Sequence, residues 1–143
     1  MLRRNYLLFL LLFVSGCGSS SLDTTIVRIN DEELVVDVAQ TPSQLQQGLG
    51  GRLTLAEGKG MLFVFSEPRP ATFWMKDMHF PIDIIWIDNT TITGIHHSVP
   101  VPTSTVLLRY HSPGTVNRVL EVPAGWALSR GVSIGDSVVI EGP

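Results

Sequence analysis

Cysteine is almost absent from this 143-residue chain: Cys17 is the single one, so no disulfide can form within it. Basic charge is sparse too. Ten Lys and Arg stand against 13 Asp and Glu, a formal net charge of −3, and no lysine–arginine run offers itself to a nucleic acid. Signatures of catalysis are missing. No serine sits in a Gly-x-Ser-x-Gly context, no His-Glu-x-x-His stretch occurs, and Gly48 to Gly51 lack the lysine and register of a phosphate loop. No cofactor motif is present, and none is expected to be bound. The apolar run Tyr6 to Val14 is too short to cross a bilayer comfortably as a helix.

Met1-Leu2-Arg3-Arg4 ahead of that run makes residues 1–16 a signal peptide rather than a membrane anchor. Val14-Ser15-Gly16-Cys17 resembles the lipobox of bacterial lipoproteins. The resemblance implies that Cys17 is lipidated and becomes the mature N-terminus, with the membrane as a partner through the anchor. The protein would then sit in the cell envelope, facing the periplasm or the exterior. A plain secretory signal with an incidental cysteine fits position and flanking residues less well. Gly18 follows, where aspartate would be the familiar inner-membrane retention signal, which favours the outer membrane in a Gram-negative cell. Residues 17–24 then form a tether, small and polar from Gly18 to Ser21. Loss of Arg3 and Arg4 leaves eight basic residues against thirteen acidic ones, formally −5 with the amine acylated, so nucleic acid is not an expected partner.

Residues 25–143 suit one compact domain with one core. Thr25 to Ile29 and Leu34 to Val38 alternate around Asn30-Asp31 and predict a hairpin. Thr41 as N-cap, Pro42 at the first helical position and Gly48 as the stop predict a short helix. Gly60 to Phe65 is a continuous apolar run, a strand buried on both faces, and Glu67 to Pro70 with its prolines predicts a loop. Ile82 to Ile87 is the strongest strand, with Asp83, Ile85 and Ile87 on one face and Ile82, Ile84 and Trp86 on the other. Asp88-Asn89 predicts a turn back through Thr91 to Ile95. Two more strands, Val106 to Tyr110 and Arg118 to Val122, are expected around a turn at Ser112-Pro113-Gly114. A helical turn at Gly125 to Arg130 and a last strand at Ser137 to Ile140 complete the chain. Eight or nine short strands with one or two short helices predict a mainly β fold, a β-sandwich or partly open barrel.

Several of these segments carry a family pattern in the expected order. They are Gly48-Leu49 before Arg52, Gly60-Met61-Leu62-Phe63-Val64-Phe65, Phe73-Trp74-Met75-Lys76, Pro81-Ile82-Asp83, Leu120-Glu121 before Ala124-Gly125, and Gly135-Asp136. With them the chain resembles the DUF192 (UPF0127) family over nearly all of the mature sequence. That resemblance implies a small β-rich domain, often exported, and no particular activity. After Met75-Lys76 the family more often has Asn-Thr, where Asp77-Met78 stand here.

The first candidate site is Arg52, Lys76, Asp83 and Glu121, each beside or at the end of an apolar strand. Two cations and two carboxylates could hold a small polar ligand, with Trp74 and Trp86 as a stacking wall. The plainer alternative is a structural ion pair of Arg52 with Asp83 or Glu121. A second candidate is copper, using Met75, Met78 and His79 with His96-His97 and His111. Against it, Met75-x-x-Met78-His79 matches no firm ligand spacing, and a neighbouring pair on a strand faces opposite ways. A third is an acid–base pair of Asp83 and Glu121 acting on a glycan. The proline-bearing loops at Glu67 to Pro70 and Val99 to Thr103 could instead contact another envelope protein. Non-catalytic binding of a small polar ligand or a protein partner is the expectation.

Overall fold

The computed structural model describes residues 22–142. The signal peptide, Cys17 and the tether as far as Ser21 lie outside the described residues. The elements run β1 (Asp23–Ile29), β2 (Glu32–Ala39), α1 (Pro42–Gln47), β3 (Lys59–Trp74), β4 (Ile82–Asp88), β5 (Thr91–Val99), β6 (Arg109–Pro123), α2 (Trp126–Ser129) and β7 (Val138–Ile140). The first strand begins at Asp23, within the segment read as tether.

All strands join one sheet in the order β5-β4-β6-β3-β2-β1-β7. The sheet curls until its two outer strands meet. Thr91 bridges Ser137, and the amides of Ile92 and Val138 donate to the carbonyls of Asp136 and Thr90. Of the two expected architectures the chain adopts the partly open barrel, closed at this corner. β2 and β3 pair in parallel, and the other neighbours are antiparallel.

Local chemistry accounts for the connections. Ile29 pairs Glu32 and Asp88 pairs Thr91, so each hairpin turns through two residues. Asn30 and Asn89 take the left-handed conformation there, at φ 55° and 53°, which asparagine tolerates better than most residues. The Thr41 hydroxyl accepts from the Gln44 amide, and the Gln44 side chain reaches back to the Thr41 amide, a complete capping box ahead of Pro42.

Among the described residues seven strands replace the eight or nine counted from the sequence, because β3 and β6 run through segments expected to be connections. Glu67 to Pro70 lies within β3, and Ser112-Pro113-Gly114 within β6. Both fall at register shifts between the two strands, where the ladder is already interrupted and a proline breaks no hydrogen bond. The Ala71 amide donates to the Ser112 hydroxyl at 2.9 Å, which replaces a ladder carbonyl.

The central strands β3, β4 and β6 separate two cores. One gathers Leu34, Leu62, Ile85, Leu120 and Trp126 and is closed by α2 and β7. The other gathers Met61, Phe63, Ile84, Trp86 and Val119 and is closed by Leu49 and the turn bearing Met75 and Met78. All of β4 from Ile82 to Ile87 is buried, which explains why every position in that span but Asp83 is apolar. Each such side chain contributes roughly 1.5–3 kcal/mol on leaving water.

Candidate functional site: a buried carboxyl beneath an aromatic cavity

Cross-strand partners share a face of the sheet. One such row reads Asp37 on β2, Met61 on β3, Glu121 on β6 and Ile84 on β4. It lies on the side of the second core, so Glu121 projects among apolar neighbours and is only 5% exposed. Burial, which penalises the charged form, pushes its carboxyl up to about 8, and the nearby Arg52 charge only partly offsets this.

Arg52 gives its guanidinium elsewhere. Its Nη1 lies 2.7 Å from Asp37 Oδ2, with both side chains about one-third exposed (33% and 30%). The ion pairs among the described residues are made by Arg28, Arg52 and Arg130, and none includes Glu121.

Above Glu121 opens a cavity of ≈ 540 Å³ between α1 with its following loop and the β3–β6 ribbon. Phe63, Phe65 and Phe73 line it, and Phe63 meets Phe73 edge-on at 4.8 Å between centroids. Trp74 stands at its rim, 43% exposed. Two guanidiniums lie against these rings. Arg69, itself part of the lining, sits 4.3 Å from the Phe65 centroid, and Arg109 sits 5.4 Å from that of Trp74.

The expected site therefore divides. Arg52, Glu121 and Trp74 lie on the cavity side of the sheet. Lys76 is an exposed turn residue whose backbone approaches the Gly50 loop, and it does not line the cavity. Asp83 pairs with Val122, the position after Glu121, and so faces the other core. It is fully buried and accepts from three backbone amides, those of Ser98 (2.7 Å), Gly125 (2.9 Å) and Ala127 (2.9 Å). The expected pairing of Arg52 with Asp83 or Glu121 is replaced by the Asp37 pair, and Asp83 and Glu121 do not converge as an acid–base pair. Trp86 is a core residue, 1% exposed, packed edge-on against Phe73 and His96 rather than forming a wall.

The copper candidates are also dispersed. Met78 lines the large cavity, whereas Met75 lines a separate one of ≈ 240 Å³ beneath Pro100 to Ser104, and His79 is exposed. Among the described residues no cluster of three or more His, Cys, Asp or Glu side chains is arranged to hold a metal ion.

Sequence reasoning missed Asp37, Arg69 and Arg109. Asp37 carried a signal, as the polar position alternating with Val36 and Val38. Arg69 was hidden by its prolines, which made a lining strand look like a loop.

Fold and site together define a small, partly open β-barrel domain with a carboxyl at the base of an aromatic cavity. The chain belongs to the DUF192 family, described as "Uncharacterized ACR", whose profile matches residues 25–140. A similar crystal structure comes from Sinorhizobium meliloti 1021, provisionally described as a transcription regulator. It has 37% identity and a TM-score of 0.78, over 86% of this chain and 98% of that one. Another, from Novosphingobium aromaticivorans DSM 12444, is a protein of unknown function. It has 29% identity and a TM-score of 0.69, over 82% of this chain and 84% of that one. No curated protein matches the chain.

Proposed function

We propose that this is a lipid-anchored protein of the cell envelope whose β domain binds a small ligand in the cavity above Glu121, without catalysis. One observation carries the reading. A carboxyl only 5% exposed, outside every ion pair among the described residues, faces a ≈ 540 Å³ cavity. Burying such a group costs stability unless a partner meets it, and a ligand able to exchange a hydrogen bond with it supplies that partner. The anchor rests on the lipobox-like Val14 to Cys17. The description of the Sinorhizobium relative suggests transcription, but the acidic balance of this chain supports no nucleic-acid partner.

Two measurements test this. Metabolic labelling with palmitate should mark the wild-type protein and leave the Cys17→Ser variant unlabelled and unprocessed. A thermal-shift screen of the full chain should find a compound that stabilises the wild type but not Glu121→Leu. A ligand at a hundred times its dissociation constant adds about 2.7 kcal/mol, a rise of several degrees. A flat screen, with a protein crosslinked to the domain in intact envelopes, would replace the ligand reading by a protein-binding one.

A further inference from the structure

The chemical class of the ligand can be narrowed, on the assumption that the cavity above Glu121 is a binding site. The walls set the body of the molecule. Phe63, Phe65 and Phe73 offer apolar surface, so the part that fills the cavity is aromatic or aliphatic rather than a polyol. The charges set the other end. Of the groups lining the cavity, Arg69 is a cation, and it takes part in no ion pair among the described residues. Arg109, laid on the Trp74 rim, is in the same position. The acidic group in the lining is Glu121, and burial keeps it uncharged near neutral pH.

A cationic ligand is therefore disfavoured twice. It would meet two guanidiniums without a standing counter-charge, and Phe65 and Trp74, which could attract it through their rings, already carry Arg69 and Arg109. An anion meets the reverse. A guanidinium binds a carboxylate by paired, charge-assisted hydrogen bonds, and a protonated carboxyl can donate to a further oxygen without repelling it.

We propose that the cavity takes a small amphipathic anion, with its apolar body against Phe63, Phe65 and Phe73 and its acidic group held by Arg69 at the mouth. Arg109 adds to the field there, and Glu121 donates to an oxygen of the buried end.

The test uses matched trios that share one body and differ only in the terminal group: phenylacetate, phenylacetamide and phenethylamine, then hexanoate, hexanamide and hexylamine. Binding to the full chain is read by saturation-transfer NMR and titration. The acids should bind roughly tenfold or more tighter than their amides, the amines weakest, as expected for one charge-assisted contact. Arg69→Gln should remove that preference while leaving amide binding in place, and Arg69→Lys should restore part of it. Circular dichroism checks that both variants fold, which is expected because Arg69 is exposed. Amides or amines binding as tightly as the acids would overturn the inferred class but leave the cavity as a site. No binding by any member, or binding unchanged when Glu121→Leu alters the cavity floor, would overturn the site itself.

Discussion

Arg52 bonds Asp37 at 2.7 Å and leaves Glu121, on the same row of the sheet with Met61 between, without an ionic partner among the described residues. Asp37 thus holds the local cation away from the buried carboxyl. In Asp37→Asn the guanidinium loses its counter-charge, and its attraction to Glu121 is no longer shared. We expect the Glu121 carboxyl to ionise roughly one to two pH units lower in this variant. The direct cost of the lost, part-exposed pair should be small, about 0.5 kcal/mol. Melting temperature measured across pH 4 to 10 would check this. An unchanged profile would mean that Arg52 stays where it is without Asp37.

Glu121 itself makes stability depend on pH. It keeps its proton in the folded protein up to about 8, against 4.5 for an ordinary glutamate. Between those values the folded state binds more protons than the unfolded one, so stability is greatest below the lower value and falls as pH rises towards the upper. The ceiling on that loss is roughly 5 kcal/mol, reduced by whatever water the cavity admits. Arg52, itself paired with Asp37, is the charged neighbour that lowers it, and Arg69 lines the same cavity. Glu121→Gln should flatten the decline and be the more stable protein at pH 9. Wild type and variant losing stability in parallel would show that other groups cause the slope.

Much of the barrel was legible in the sequence, because it rests on local rules. The Asn30 and Asn89 turns, the Thr41-Pro42 helix start and the alternation of Ile82 to Ile87 stand as expected. The proline segments misled, since Pro70 and Pro113 look like loop signals until β3 and β6 are paired and the register shift appears. The site was legible only in part. Glu121 and Asp83 look alike in one dimension, as acidic positions beside buried strands. One residue of offset in the register, Glu121 against Ile84 and Asp83 against Val122, sends them into different cores. Spacing along the chain does not carry that offset, which belongs to the pairing of strands far apart in sequence.

Asp83 should behave as a structural residue. Its carboxylate accepts the amides of Gly125 and Ala127 at the start of α2, and it fixes Ser98 at a left-handed φ of 49°. Asp83→Ala leaves three donors unmet in a dry site, and we expect a loss of roughly 3 kcal/mol or more. Asp83→Asn keeps the oxygen that accepts from Ser98 and Gly125 but turns an amino group toward the Ala127 amide, so it should recover only part of that. Urea denaturation gives both numbers. If Asp83→Asn were as stable as the wild type but lost ligand binding, the structural assignment would be wrong.

Gly60 connects the fold to the site most directly. It precedes Met61 on β3 and pairs with Val36 on β2, deep in the sheet. A Cβ built there would stand 2.6 Å from the carbonyl oxygen of Glu121 and 3.2 Å from Val36 Cγ1. No side-chain rotation relieves the first contact, because it is with backbone. The β3–β6 ladder must open, or β6 must shift at the residue that carries the buried carboxyl. We therefore expect Gly60→Ala to lose more than about 2 kcal/mol of stability, as overpacked cores do, and also to weaken the pH dependence that Glu121 imposes. Gly114→Ala is the control. It lies on the same ribbon, with nothing within 4 Å of the added carbon, so its effect should stay within about 0.5 kcal/mol. Equal losses in the two variants would mean that glycine flexibility, and not the close approach to Glu121, is what position 60 requires.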